Sequence, residues 1–173
     1  MQSRRAKFYT PCVVLAALFF GAVSVPCASA ADKKMTGTGI FISMAGKQVG
    51  HEAADPREEM SQWTATWTFT SSDPDFDGII ETAPTQIICG PGGCRHQGLL
   101  KFRHRNGDLS WGYFQGTHSV NVKADGSFTM STDGVKVLVG GTGKFANIKG
   151  ELKYAAKDSP FGATFNWTGQ VSY

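Results

Sequence analysis

Strict alternation of apolar and polar residues is the sequence feature that most constrains this fold. Within residues 62–70, Trp63, Ala65, Trp67 and Phe69 fall on one face of the segment and threonines fall on the other. Successive side chains of a β-strand point to opposite faces, so this two-residue period predicts a strand with one buried face.

The same alternation recurs between turn dipeptides along the rest of the chain. Dipeptides of the Asn-Gly and Asp-Gly type at 106–107, 125–126 and 133–134 are predicted turns, because both residue types tolerate positive φ. The one helix-like stretch, residues 51–60, is interrupted by a proline and is predicted to be a loop. Strands are predicted at 37–45, 62–70, 79–89, 99–104, 109–115, 118–123, 127–131, 135–140, 148–154 and 157–173.

About eight to ten short strands at this spacing predict an all-β chain, folded as an antiparallel sandwich or barrel. A single closed barrel of about eight antiparallel strands is the expected architecture, since closure leaves no unpaired sheet edge. The chain has no internal repeat or linker that would indicate a second domain.

Residues 1–30 have the three parts of a secretory signal peptide. Basic residues occur within the first seven positions, residues 13–25 are apolar, and residues 28–30, Ala-Ser-Ala, form a small-x-small cleavage site. About thirteen apolar residues are too few to span a bilayer as a helix. We therefore expect cleavage after Ala30, a β-barrel domain at 31–173 without a membrane span, and a secreted or periplasmic protein. An uncleaved anchor and a lipidated N-terminus are the alternatives.

Cleavage would also change the charge balance of the chain. The full sequence has 17 basic and 14 acidic residues, which gives a formal charge of +3. Three of the basic residues lie in the predicted signal peptide, so removal of 30 residues from 173 leaves 143 with fourteen of each sign. A formally neutral domain offers no electrostatic reason to expect a nucleic-acid partner, and none is predicted.

Two cysteines remain beyond the predicted signal peptide, in Cys89-Gly-Pro-Gly-Gly-Cys94. An oxidising compartment and a tight Gly/Pro turn between the two residues favour a disulfide that pins a hairpin. One alternative is a metal site completed by His96 and His104, although the spacing matches no standard zinc module. A redox-active pair is the other, although Cys-x-x-Cys is its usual spacing. No cofactor is predicted.

Residues 73–78 read Asp-Pro-Asp-Phe-Asp-Gly and have the spacing at which a calcium loop begins. A full calcium hand is excluded, because its twelfth position would be a bidentate glutamate and is Pro84 here. A looser calcium site at Asp73, Asp75 and Asp77, with Glu81 as an optional further ligand, remains a candidate, and a solvated acidic turn is the alternative.

A glycine-rich segment near the C-terminus carries a family resemblance. Gly140-Gly141-Thr142-Gly143-Lys144-Phe145, followed by Gly150 and a strand, resembles the motif of the allene oxide cyclase-like and plant dirigent barrels, which are calycin-like. The last strand, 157–173, is similar to the last strand of that family. The resemblance implies an eight-stranded antiparallel barrel with a hydrophobic cavity, often a trimer, and an isomerase or cyclase activity. It transfers no catalytic residue, because the family's catalytic groups lie on strands that cannot be aligned here.

The same glycines also have an interpretation that does not depend on the family. They would permit a tight turn between two strands, with Phe145 packed beneath the turn. A phosphate-binding loop is excluded, because no Lys-Ser/Thr pair and no helix follow the glycines.

Many aromatic residues lie on the predicted strands, where they would suit either a packed core or an apolar pocket. No nucleophile motif, metal-binding motif or pair of carboxylates identifies a catalytic site in the sequence. A pocket, if the barrel has one, is predicted to be lined by Trp63, Trp67, Phe69, Trp111, Tyr113, Phe165 and Trp167.

Two hypotheses about function follow from these patterns. The first is an exported barrel that binds a hydrophobic small molecule or a partner without catalysis. The second is an isomerase or cyclase that confines an apolar substrate in the barrel cavity. A carboxylate that is buried inside the cavity and has a raised pKa would favour the enzyme. A wholly apolar interior would favour the binder, and an interior packed solid would favour a structural protein. No such carboxylate can be identified in the sequence, so the binder is the preferred hypothesis.

Overall fold

Eight antiparallel strands, each paired with its neighbours in sequence, make up most of the described chain. The computed structural model describes residues 32–50, 57–160 and 164–173. Pairing of the first strand with the last closes the ring, which confirms the predicted all-β barrel. The strands are β1 (Lys33–Gly50), β2 (Glu59–Ser71), β3 (Ile80–Gly90), β4 (Gly93–Arg103), β5 (Leu109–Val122), β6 (Phe128–Gly141), β7 (Lys149–Pro160) and β8 (Thr164–Ser172).

Two sequence predictions fall partly or wholly on residues outside this description. The signal peptide at 1–30 lies outside the described residues, as does most of the loop predicted at 51–60. Within the described part of the chain, no helix has the length and hydrophobicity needed to cross a bilayer.

The two-residue period correctly assigns the faces of several strands. In β2, Ala65 and Phe69 are buried, while Thr64 and Thr70, which flank them on the opposite face, are exposed. In β8, Phe165 is buried, and so are two later residues at odd-numbered positions. The even-numbered residues between them are polar and exposed. The barrel core is therefore built from one side chain in two along each strand.

The turn predicted at residues 133–134 is wrong. Both residues lie in the middle of β6, where Gly134 pairs with Gly116 of β5. Gly134 faces the barrel interior, and a Cβ built on it would overlap the phenol of Tyr154. This glycine therefore makes room for a large inward side chain instead of turning the backbone. The β5–β6 turn lies at Ala124-Asp125-Gly126, as predicted, with Gly126 at φ 82°.

One end of the barrel is closed by three loops, 72–79, 104–108 and 142–148, and we call it the plugged end. Phe76 and Phe145 are each at most 1% exposed and project inward from two of these loops. The Phe145 ring stacks on the imidazole of His104 with their centroids 3.7 Å apart. Aromatic packing therefore seals this end against water.

The glycine-rich segment forms the predicted tight turn at the plugged end. Thr142 accepts a hydrogen bond at its Oγ1 from the Leu109 amide at 2.9 Å. Gly143 then adopts φ 51° and begins a single turn of 3-10 helix, Gly143–Phe145, that places Phe145 inside. Gly150 has φ 155° and packs closely against Val171 of β8. Gly140 and Gly141 end β6 beside Trp111 and Ser110 of β5.

His104 is held at the plugged end as a neutral imidazole. Its Nδ1 lies 2.9 Å from the carbonyl oxygen of Asp75, which can only accept, so Nδ1 carries the proton. Its Nε2 then accepts from the hydroxyl of Ser110 at 2.8 Å. Burial lowers the pKa of His104, which agrees with this tautomer.

The aspartates of the calcium-like sequence anchor the plug to neighbouring strands and loops. Asp75 Oδ2 pairs with Lys144 Nζ at 2.5 Å, and Asp77 Oδ2 pairs with Arg105 at 3.1 Å. The hydrogen bond from Lys144 lowers the pKa of the Asp75 carboxyl. Asp73 pairs with Lys33 at 3.3 Å. Asp73 and Asp75 share Lys33 and the Tyr173 hydroxyl as partners, whereas Asp77 is directed at Arg105. The three carboxylates therefore do not form one cluster of metal ligands among the described residues, and the geometry does not support the candidate calcium site.

The opposite end carries the disulfide and is called the disulfide end. Cys89 and Cys94 are direct partners across the β3–β4 hairpin, with their Cα atoms 4.1 Å apart. The predicted disulfide is therefore confirmed. With His118 these cysteines form the only cluster of three potential metal ligands found in the described ranges, but both sulfurs are in the disulfide.

Replacement of Phe145 by alanine is expected to lower the free energy of unfolding by about 3–5 kcal/mol, because it empties the centre of the plug. Val139, which is 52% exposed on the outer face of β6, provides the control, and Val139→Ala should cost less than about 1 kcal/mol. Urea denaturation followed by tryptophan fluorescence measures both values. Equal losses in the two variants would contradict the role assigned to the plug.

Candidate functional site in the barrel interior

An internal cavity of about 140 Å³ lies between the middle of the barrel and the disulfide end. Its wall is mostly apolar, with a few ionisable groups among the rings. Residues from all eight strands reach it, because the inward positions of a closed barrel converge on the same space. The lining comprises Phe41, Met44, Trp63, Ala65, Trp67, Glu81, Ala83, Thr85, Ile87, His96, Phe114, His118, Met130, Thr132, Lys136, Tyr154 and Phe165.

The floor of the cavity holds a buried ion pair. Lys136 Nζ on β6 bonds to Glu81 Oε2 on β3, and their side chains are 6% and 1% exposed. The two strands are not neighbours in the ring, so the pair crosses the interior. Taking both charges out of water costs several kcal/mol per ion, which the mutual attraction offsets only in part.

Aromatic rings surround the ammonium group of Lys136. Nζ lies 4.9 Å from the ring centre of Phe69, 5.0 Å from that of Phe165 and 5.4 Å from that of Tyr154. These distances are within the range of cation–π attraction. Burial nevertheless lowers the pKa of Lys136, and the charge and hydrogen bond of Glu81 oppose that shift.

The second carboxylate oxygen of Glu81, Oε1, lacks a hydrogen-bond donor among the described residues. Glu81 is fully buried, and its Oε1 accepts no hydrogen bond from any described residue. A buried carboxylate oxygen without a donor costs free energy, and such a group in a native structure calls for an explanation. Because Glu81 lines the cavity, a donor on a bound molecule would satisfy it.

A hydrogen-bonded chain of three side chains leads from the cavity toward the disulfide end. The Tyr154 hydroxyl lies 2.5 Å from His96 Nε2, and His96 Nδ1 lies 3.3 Å from His118 Nδ1. Burial, with the nearby carboxylates of Glu81 and Asp133, raises the pKa of Tyr154, so the phenol keeps its proton.

The proton positions along this chain follow from those contacts. The Tyr154 hydroxyl donates to His96 Nε2 at 2.5 Å in preference to the carbonyl oxygen of Gln115 at 3.4 Å, so the neutral His96 carries its proton on Nδ1 and donates it to His118. Burial, together with the charges of His118 and Lys136, lowers the pKa of His96 to about 4. Burial also lowers the pKa of His118. Both rings are therefore neutral at neutral pH and can relay a proton.

Gly116 is required for the contact between His96 and Tyr154. A Cβ built on Gly116 would lie 2.8 Å from both His96 Nε2 and the Tyr154 hydroxyl oxygen. Atoms do not approach a Cβ that closely, so any larger residue would push His96 and Tyr154 apart.

The structure divides the aromatic residues predicted to line a pocket into three groups. Trp63, Trp67 and Phe165 do line the cavity. Phe69 and Trp167 are buried in the core beside it, at 2% and 4% exposure.

Trp111 and Tyr113 form the third group and face outward, at 41% and 47% exposure. The inward positions of β5 are the even-numbered ones, such as Ser110 and Phe114, so neighbouring odd-numbered residues cannot reach the interior. The prediction that these two residues line the pocket is therefore wrong.

Sequence reasoning missed the polar centre of the site. Lys136 alternates with Val135 and Val137, a pattern that normally predicts apolar residues inside and a lysine outside. Glu81 and Tyr154 stand alone in the sequence, with no partner at a recognisable spacing. One sequence pattern does identify the inner face. Glycines such as Gly134 lie on the same face of the strand as Lys136, and they are needed where a large side chain fills the interior.

No family model, curated protein or solved structure matches this chain in the comparisons made. The candidate site is therefore argued from its own geometry.

The free energy of unfolding is expected to fall as the pH is lowered from about 6.5 to about 4, partly because of His96. Its pKa is lower in the folded protein than the usual 6.5, so the unfolded state binds the proton first and is favoured by acid. His96 should contribute up to about 3 kcal/mol to this loss.

Urea denaturation at several pH values measures the effect, with His96→Gln for comparison. The variant should show a shallower pH dependence over this interval, while the remaining slope reports His104, His118 and the surface carboxylates. Identical slopes for the two proteins would show that His96 is not buried as a neutral base.

Proposed function

We propose that this barrel binds a small, largely apolar molecule in its internal cavity, with one polar group of that molecule directed at the Glu81–Lys136 pair. The unpartnered Oε1 of Glu81, fully buried at the cavity wall, is the observation that carries the proposal. It supplies a hydrogen-bond acceptor at a defined point in a mostly apolar chamber.

The volume of the cavity limits the ligand. A dry apolar cavity of about 150 Å³ accepts a benzene molecule, and the cavity here measures about 140 Å³. A ligand held entirely inside is therefore a single substituted ring or a short aliphatic chain. Rings of Trp63, Trp67 and Phe165 would supply its apolar contacts.

The charges around the cavity limit the polar group of the ligand. Lys136 is already neutralised by Glu81, so an anionic ligand would bring a third charge beside the carboxylate. A neutral hydroxyl or amide donor fits better, because it satisfies Glu81 Oε1 without adding a buried charge.

Isomerase or cyclase activity of the allene oxide cyclase-like type is the second candidate function. A carboxylate buried at the cavity is one of the features expected of an enzyme, and Glu81 has that position. Glu81 would move a proton on the substrate, and the narrow cavity would hold it in a reactive conformation.

Filling the cavity should weaken ligand binding. Leucine in place of Ala65, an inward residue of the lining, would occupy the space that a ligand needs. Leucine in place of its neighbour Thr64, which is exposed on the outer face, adds the same side chain elsewhere. Titration calorimetry with benzyl alcohol should show roughly tenfold or greater weakening for Ala65→Leu and no change for Thr64→Leu.

Absence of benzyl alcohol binding to the wild-type protein, or equal weakening in both variants, would contradict the binding proposal. Native mass spectrometry of the purified protein then identifies any co-purified molecule of a size that fits the cavity. If that molecule is converted to an isomer on incubation with the protein, and if Glu81→Gln stops the conversion, the enzyme replaces the binder. An unchanged molecule supports the binder.

We also propose that the protein acts after export from the cytoplasm. The Cys89–Cys94 disulfide supports this, because such bonds persist mainly in oxidising compartments. Expression of the full chain in a Gram-negative host, followed by N-terminal sequencing of the periplasmic fraction, should yield a protein that begins at Ala31. A variant without residues 2–30 should stay in the cytoplasm. Recovery of the full chain with Met1 intact would contradict the proposal.

A further inference from the structure

We propose that Lys136 is a covalent capture residue, whose Nζ forms an imine with the carbonyl carbon of a small apolar aldehyde or ketone held in the cavity. The inference rests on the proposed function, since it names the class of molecule that the same cavity takes. It adds an activity, reversible covalent bonding, that binding alone does not require.

The position of Nζ supports this chemistry. Lys136 lines the cavity although its side chain is only 6% exposed, so the amine faces enclosed space instead of bulk water. Rings of Phe69, Phe165 and Tyr154, with centres 4.9–5.4 Å from Nζ, form an apolar wall around the amine. An enclosed apolar site also limits hydrolysis, which otherwise reverses imine formation in water.

Imine formation requires an uncharged amine, and Glu81 provides the means to generate one. Its Oε2 already accepts the hydrogen bond from Nζ, so proton transfer along that bond converts two buried charges into a neutral amine and a neutral carboxylic acid. The low dielectric of the site favours that neutral pair more than water would. Desolvated lysines in apolar pockets are the activated nucleophiles of Schiff-base chemistry.

The reaction balances with the groups present. The nitrogen lone pair of the neutral Lys136 attacks the carbonyl carbon, the C–N bond forms, and the carbonyl π electrons move to oxygen. That oxygen takes the second amine proton and becomes the hydroxyl of a carbinolamine. The carboxylic acid of Glu81 then protonates this hydroxyl, which leaves as water while the nitrogen lone pair forms the C=N bond. The product is an iminium ion beside the Glu81 carboxylate, which restores the buried ion pair.

The surrounding polar groups suit such a product. His96 and Tyr154 lie on the same cavity and are neutral at neutral pH, so neither adds a charge next to the iminium ion. The outward lysines of the barrel lack this environment. Lys153, for example, has a side chain that is 75% exposed.

Reductive trapping tests the proposal. The wild-type protein is incubated with benzaldehyde and sodium cyanoborohydride, which reduces iminium ions to stable secondary amines. Proteolysis and mass spectrometry then map the benzyl groups. Lys136 should be modified at least about tenfold faster than Lys153, because its amine is more readily deprotonated. Ala65→Leu should prevent modification at Lys136 and leave modification of Lys153 unchanged.

Two variants test the chemistry itself. Lys136→Arg keeps a cation for Glu81 but forms no stable imine, and it should lose the adduct at this position. The double variant Glu81→Gln/Lys136→Met removes both charges together, so it leaves no unpaired charge if the arginine disturbs the fold. It should lose the adduct at position 136 and show only the slow labelling of surface lysines. Circular dichroism confirms that each variant is folded.

The outcomes separate this inference from the binding proposal. If wild-type protein binds benzyl alcohol but benzaldehyde modifies only exposed lysines, covalent capture is overturned and binding stands. If neither molecule enters the cavity, both proposals fail. Modification of Lys136 that persists at an equal rate in Ala65→Leu would also overturn the inference, because the cavity would then play no part.

Discussion

The ion pair between Glu81 and Lys136 determines the character of the barrel interior. Two charged side chains, 1% and 6% exposed, give up hydration worth several kcal/mol each. The attraction between the two charges and the cation–π contacts around the ammonium group offset part of this loss of hydration free energy. Apolar residues of similar size would serve stability at least as well. The pair is therefore better explained by what it does to a molecule in the cavity than by what it contributes to the fold.

The plugged end keeps the surroundings of that pair dry. Edge-to-face contacts connect Phe69, below the ammonium group, to Phe102 at 5.4 Å, and Phe102 to Phe76 of the plug at 6.2 Å. Phe76 in turn contacts Phe145 at 5.9 Å. The aspartates of loop 72–79 hold this loop in place through ion pairs with Lys33 of β1 and with Arg105 and Lys144 of the other two loops. The sequence that resembles a calcium loop therefore has a structural role: it fixes the ring of Phe76, which excludes water from one end of the barrel.

The sequence predicted the architecture well and the site poorly, for a physical reason. Strand period and turn chemistry are local, so the barrel, the disulfide hairpin and the turn with Phe145 could all be predicted from neighbouring residues. The cavity is not local: Glu81 and Lys136 are 55 positions apart on strands that do not touch in the ring. Alternation also does not say which face is inside. Tyr113 and its register partner Val137 are apolar residues on the outer surface, opposite in phase to the inward lysine.

The inner face of each strand can be recognised from a different pattern, the alternation of very small and very large residues. The interior of an eight-stranded barrel is narrow, so a large ring on one strand requires a glycine on its neighbour. Gly134 and Gly116 lie beneath Tyr154 and His96, and Gly39 lies beneath Phe165.

In β6 the glycines at 134 and 140 share the parity of Lys136 and not that of the valines. The positions of the glycines, unlike the hydrophobicity of the valines, therefore assign Lys136 to the interior. A buried lysine in an apolar strand face in turn requires a carboxylate. Inward positions with this pattern are Gly37, Gly39, Phe41, Gly112, Phe114, Gly116, His118, Gly134, Lys136, Phe165, Trp167 and Gly169.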